Sequence, residues 1–190
     1  MEHGARLTTA RTIVPWLLLL SLPAVAAAQD EGSRLSVQGA LGTNANVGGS
    51  TQALSVGFAI SDRLDVLVSA ERIHLPTEVT YHEHGVSATR GGTTTSVSGE
   101  IQVVPVRTAR VSPYALAGVG AGVSRPNVTD IFPDRITNDA ALLFFGGGVR
   151  VPVTGHLRVF ADVRFTLQLE ERGAGVFLFV PVRGGLAWRF

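Results

Sequence analysis

Four residues carry the charges best placed for ion pairing or proton transfer: Glu100, Asp162, Arg164 and Arg183. Asp162 and Arg164 stand two positions apart inside an alternating stretch. Residues two apart on a strand share one face. A carboxylate and a guanidinium on the same face can make charge-assisted, two-pronged pairs. A second group, Tyr81-His82-Glu83-His84, puts two imidazoles and a carboxylate within three positions. Such a set could begin a metal site, but a structural zinc needs four ligands and the sequence signals no others. The segment is therefore read as a solvated loop, with no metal and no cofactor. Asn127-Val128-Thr129 matches a glycosylation acceptor pattern and is read as a chance match. The chain has no cysteine, so neither a thiol nucleophile nor a disulfide framework is available.

The elements that must position these charges are strands. The seventh expected strand, 157–169, shows the pattern most clearly. Leu157, Val159, Ala161, Val163, Phe165, Leu167 and Leu169 alternate with Arg158, Phe160, Asp162, Arg164, Thr166 and Gln168. The other strands are expected at 34–43, 52–60, 64–74, 93–105, 111–123, 141–151 and 175–190. Long connections are expected at 75–92 and 123–140, and shorter ones at 61–63, 106–110 and 152–155. With the apolar set facing outward, Asp65, Glu71, Glu100, Arg150, Arg158, Asp162, Arg164, Arg183 and Arg189 face inward. A buried charge without a partner is costly, so these must pair. Counting from the turns puts Glu100, Asp162, Arg164 and Arg183 at mid-height, with Glu100 expected to meet Arg183 across the interior. Inward glycines at 118, 120, 122, 146 and 148 are expected to leave room for the long arginines.

The N-terminus has a separate logic. Arg6 and Arg11 precede an apolar run from Ile13 to Leu22, which is followed by Pro23 and Ala26-Ala27-Ala28. A charged start, a short apolar middle and small residues before a cleavage point make a secretory signal peptide. Residues 1–28 are assigned to it, with Ala26 and Ala28 as the cleavage residues, and 29–190 to one further domain. The run is shorter than the roughly 20 residues of a spanning helix. With no cysteine after it, a lipoprotein anchor is excluded. Beyond Arg6 and Arg11 the chain holds 14 arginines and no lysine, and beyond Glu2 it holds 14 acidic residues. That balance gives no basic stripe for nucleic acid.

The last stretch, Gly175 to Phe190, reads GVFLFVPVRGGLAWRF. Val176, Leu178, Val180, Val182, Leu186, Trp188 and Phe190 form one apolar face, and the sequence stops on the aromatic. With an exported chain, no long apolar run and about ten residues per strand, the fold class is all-β. The architecture is an eight-stranded antiparallel up-and-down transmembrane β-barrel behind a signal peptide. Only a closed sheet leaves no unpaired backbone in hydrocarbon. The chain resembles the OmpA/OmpX-type family of eight-stranded outer-membrane β-barrels. The residues that carry the resemblance are Trp188-Arg189-Phe190 and the strand Pro113-Tyr114 through Gly118-Val119-Gly120-Ala121-Gly122.

The resemblance implies a bacterial outer-membrane location, with the lipid bilayer and lipopolysaccharide as surroundings. It implies periplasmic chaperones and the barrel assembly machinery as partners during biogenesis, with Leu186, Trp188 and Phe190 as the insertion signal. A monomer is expected. Outer-membrane lipid A deacylases share this architecture and use a His-X-Ser arrangement. None of the five histidines here is followed by serine two residues on, so no enzyme is expected. The role implied is structural, or surface interaction through 75–92 and 123–140. A narrow porin-like channel is the alternative; inward Phe144, Phe160, Phe177 and Phe179 argue against a wide one. Two departures from the family pattern are visible. Trp188, Tyr81 and Tyr114 make thin aromatic girdles, and Pro181 inside the last strand calls for a bulge or kink.

Overall fold

The computed structural model describes residues 34–82, 85–89, 91–106, 110–130, 133, 137–170 and 176–190. Strands β1 (Leu35–Asn44), β2 (Ser50–Ser61) and β3 (Leu64–Leu75) come first. β4 (Glu78–His82) and β5 (Gly85–Thr89) pair only with each other. β6 (Gly92–Val103), β7 (Ser112–Pro126), β8 (Asn138–Pro152) and β9 (Leu157–Glu170) follow. β10 (Val176–Phe179) and β11 (Pro181–Arg189) end the chain. Each barrel strand is antiparallel to its neighbours, and β11 pairs with β1 to close the ring. With β10 and β11 as one stave, the barrel has eight.

Alternation decides the two surfaces. On β2, Leu54, Val56, Phe58 and Ile60 are exposed, while Thr51, Ser55 and Ala59 are buried. On β6, Val97, Ile101 and Val103 face out, while Ser96, Ser98, Glu100 and Gln102 are buried. A soluble protein puts its apolar face inside. Here the apolar face is outside and polar side chains fill the centre, which suits a barrel solvated by lipid.

The stagger of the barrel can be read from the register. Starting at Gly39, the paired row runs through Leu54, Ala70, Val97, Ala121, Ala141 and Leu169 to Val176. Gly39 itself pairs with Leu186, ten residues further along the closing stave. The row therefore climbs as it circles, as it must when strands tilt to close a barrel.

Pro181 does not create a bulge. Phe179 pairs with Thr166 and Val182 with Val163, the same register on both sides. The proline lacks an N–H, so the ladder is interrupted at Val180 and the stave splits into β10 and β11. On the other edge, toward β1, Asn46 carries the pairing past the proline. Its Nδ2 donates to Leu178 O at 2.8 Å, and its Oδ1 accepts from Val180 N–H at 2.9 Å. One side chain supplies both bonds a neighbouring strand would have made.

The connections differ from expectation in two places. Residues 75–92 are not one open loop; they contain the β4–β5 hairpin. The segment expected at 123–140 shrinks to 127–137, because β7 and β8 run on to Pro126 and Asn138. At the other end, the fourth expected strand stops at Val103. Val104 follows, buried against Tyr114, Leu116 and Phe144.

Candidate functional site: an ionic chain across the lumen

The inward face of the barrel places its charges in one connected set. Arg183 on β11 stands directly opposite Asp162 on β9. Arg183 Nε donates to Asp162 Oδ1 at 2.9 Å and Nη2 to Oδ2 at 2.8 Å. This is the fork-on-carboxylate geometry that makes arginine pairs strong. Arg183 Nη1 also reaches Glu71 on β3 at 3.5 Å. Tyr114 OH donates to Asp162 Oδ2 at 3.1 Å, and Arg164 Nε lies 3.4 Å from Asp162 Oδ1.

Arg164 then crosses the lumen, with Nη1 2.7 Å from Glu100 Oε2 on β6. Glu100 Oε1 accepts from Gln102 Nε2, and Gln102 Oε1 accepts from Arg150 Nη2. Arg150 Nη1 donates to Asp65 Oδ2 at 2.6 Å. The chain thus runs Asp65, Arg150, Gln102, Glu100, Arg164, Asp162, Arg183, Glu71. Its centre is buried: Glu100 is 1 % exposed, and Asp162 and Arg164 are 3 %.

All four residues singled out in the sequence lie in this chain, but their partners differ from expectation. Glu100 pairs with Arg164, not Arg183. The reason is proximity along the ladder. Asp162 is the direct cross-strand neighbour of Arg183 and takes its guanidinium with two bonds. Arg164, one pleat higher on the same face, is left to span the lumen.

The inward glycines also act differently from expectation. Gly118 and Gly148 do not simply leave space for arginines. Each lies beneath an aromatic ring on the paired strand, Phe144 over Gly118 and Tyr114 over Gly148. A Cβ at Gly118 would stand 2.3 Å from Phe144 Cζ, and one at Gly148 would stand 2.8 Å from Tyr114 Cζ. With the rings laid flat, the arginines stack on them: Arg164 is 5.1 Å from the Phe144 centroid and Arg150 is 4.6 Å from that of Tyr114. Glycine, ring and guanidinium form a layered filling, with a cation–π contribution in each layer. The signal in the sequence was the alternation of glycines with aromatics in facing strands, but it becomes visible only once the register is known.

A cavity of about 20 Å³ at the end near the termini is bounded by Arg34, Asp65, Arg150, Arg158 and Arg189 among others, room for about one water. Of the four inward phenylalanines, Phe144, Phe160 and Phe179 are buried; Phe177 is exposed at the loop-end mouth, opposite Gln168.

The remaining sequence candidates fall elsewhere. His82 ends β4, paired through its backbone with Gly85, while Glu83 and His84 lie outside the described residues. Asn127 is used as a tie between two loop bases. Its Nδ2 donates to Thr77 Oγ1 at 3.1 Å, and its backbone N–H donates to Gly91 O at 2.8 Å. Leu186, Trp188 and Phe190 point outward along the closing stave, about half exposed. Trp188 stacks on His156 with centroids 5.7 Å apart, and Phe190 N–H donates to Leu35 O at 3.2 Å. Ala26 and Ala28 lie outside the described residues.

Comparison with solved structures finds the same fold. Neisserial surface protein A (NspA) aligns with a TM-score of 0.65 at 17% identity, covering 83% of this chain and 98% of its own. A major outer membrane protein from Thermus thermophilus gives a TM-score of 0.52 at 15% identity, covering 82% and 98%. The attachment invasion locus protein Ail of Yersinia pestis, in complex with the heparin analogue sucrose octasulfate, gives 0.51 at 15%, covering 82% and 97%. No curated protein matches. The family described as the outer membrane protein beta-barrel domain matches residues 14–179. An outward apolar belt, a polar ion-paired centre and that match over most of the sequence identify the chain as a member of the outer membrane protein beta-barrel family, an integral protein of the bacterial outer membrane.

Proposed function

We propose that this protein is a non-enzymatic membrane anchor whose barrel is closed and whose activity lies in the segments it displays, 75–92 and 127–137. The observation that carries this is the ionic chain. It runs from β11 and β9 across to β6 and β3 through side chains that are almost wholly buried. A path for solutes would have to break several buried charge pairs, each costly to separate. The channel reading is therefore the weaker one.

The same reading assigns the remaining parts. Met1 to Ala28 is a signal peptide that exports the chain. Leu186, Trp188 and Phe190 are read by the barrel assembly machinery after delivery by periplasmic chaperones. The mature protein stands as a monomer in the bilayer, with lipopolysaccharide around its loop end. Short turns of such barrels face the periplasm and longer connections face outward. By that rule the β4–β5 hairpin and 127–137 reach the cell surface.

The test is loop replacement. Residues 76–91 and 127–137 are each exchanged for a tight turn, and both versions are expressed in a strain lacking the gene. The shortened barrel is expected to insert normally and to leave the deletion phenotype uncorrected, whereas the intact protein corrects it. Lipid A from the strains is expected to give the same mass spectrum. Correction by the shortened barrel would move the function into the barrel wall or lumen, and a changed acyl pattern would make the protein an enzyme.

A further inference from the structure

The outer wall is not uniform. On the β1–β3 side an open groove of about 600 Å³ lies between the staves. It is lined by the small residues Gly39, Ala70 and Gly184 and the larger Leu41, Leu54 and Leu186; Glu71 also borders it but is buried and paired with Arg183 on the lumen side. The glycines leave real space. A Cβ on Gly39 would meet nothing within 4 Å, and one on Gly184 would meet only Phe160 O at 3.8 Å.

Above this apolar trough the surface turns polar abruptly. Gln52, Arg72 and Thr95 are exposed, stand side by side in one paired row and line the upper end of the groove. No ion pair to Arg72 occurs among the described residues. The level of this row matters. The paired row below it, starting at Ala70, reaches Leu169 on the opposite wall and is still apolar there. With about 3.3 Å of rise per residue and a strand tilt of about 40°, that row gains about 12 Å on the way. Arg72 is two residues above Ala70, so it stands about 7 Å lower than Leu169 by the same arithmetic. The cation stands at the lower edge of this wall's polar cap, with Ser50, His74 and Thr93 in the row above, and below the apolar crest of the far wall.

A guanidinium at that depth, over a trough the width of small side chains, matches a lipid with an anionic head and acyl tails. We propose that the groove holds one molecule of the phosphorylated glycolipid of the outer leaflet. Its phosphate rests on Arg72, with Gln52 and Thr95 beside it, and an acyl chain lies over Gly39, Ala70 and Gly184. Charge complementarity selects the occupant: Arg72 has no ion-pair partner among the described residues, and an anionic head carried on acyl tails supplies the charge while filling the apolar trough. The leaflet follows from the orientation given under Proposed function, on which this inference rests.

The experiment uses the full chain, exported and purified from outer membranes in mild detergent, with bis-phosphorylated hexa-acyl lipid A as the probe. Native mass spectrometry reads the bound fraction. Heat-shifted migration on gels confirms that each variant is folded. The intact protein is expected to hold one lipid A. Losing a charge-assisted contact in Arg72→Gln is expected to weaken binding at least about tenfold. Gly184→Leu fills the trough and is expected to weaken it as much, while Arg125→Gln, outside the groove, stays within about twofold of the intact protein, because no contact is lost there. Equal binding by the intact protein, Arg72→Gln and Gly184→Leu overturns the proposal. So does equal binding of dephosphorylated lipid A or of phosphatidylglycerol, or a dimer that Gly184→Leu dissolves. The loop-shortened barrel keeps its lipid A if the groove is the site, so a failed loop assignment and a failed groove assignment give different results.

Discussion

Asp162→Ala is expected to destabilise the folded barrel by about 3–5 kcal/mol, the range for removing one partner of a buried ion pair. Asp162 takes three of the strongest contacts in the lumen: two from Arg183 at 2.8 and 2.9 Å, and one from Tyr114 at 3.1 Å. Without it, Arg183 keeps only Glu71 at 3.5 Å, and the phenol loses its acceptor. Both groups stay buried, so desolvation is no longer offset. Urea unfolding in lipid vesicles measures the change. Arg183→Met alone should cost a similar amount by the same argument. The double variant should cost clearly less than the two singles added, because neither charge is then left alone. Additive losses, or a single loss below about 1 kcal/mol as for exposed pairs, would mean that water reaches the cluster.

Phe190→Asp is expected to abolish accumulation of the barrel in the outer membrane while leaving the refolded protein almost as stable as before. The two halves of that expectation have different physical sources. Phe190 lies at the terminal rim, half exposed, one residue beyond β11. Charges at the lipid face near an interface cost only about 0–1 kcal/mol. Its backbone bond to Leu35 does not depend on the side chain. Stability therefore predicts a mild effect, and only recognition of the outward series Leu186, Trp188, Phe190 predicts a severe one. Cell fractionation beside refolding into detergent separates them. Normal accumulation in cells would remove the insertion role from this terminus.

The wall of the barrel was legible because its code is local. In β9 each residue from Leu157 to Leu169 declares its face by its neighbours, and the structure follows that alternation. The charged centre was legible in membership but not in pairing. Inwardness follows from parity, whereas who meets whom depends on the stagger of ten residues around the ring, which no single strand encodes. That is why Glu100 was matched with the wrong arginine. The β4–β5 hairpin was missed for another reason. Val79, Thr80 and Tyr81 pair with Ala88, Ser87 and Val86 across a two-residue link, but each run is only five residues long and carries no clear apolar alternation. Pro181 was seen as a disturbance. The Asn46 amide that carries the β1 edge past it lies 132 and 134 residues away in sequence from the groups it satisfies.

The closed lumen is tested most directly by electrical recording from the refolded protein in a planar bilayer, with Glu100→Ala beside the intact chain. Insertion is confirmed independently by protease protection of the barrel. With Glu100 on Arg164 at 2.7 Å and Asp162 on Arg183, the intact barrel is expected to insert and give no stable current steps. Stable, ohmic steps from the intact protein, changed in size or lifetime by Glu100→Ala, would contradict this, and the ionic chain would then be a gate on a conducting path.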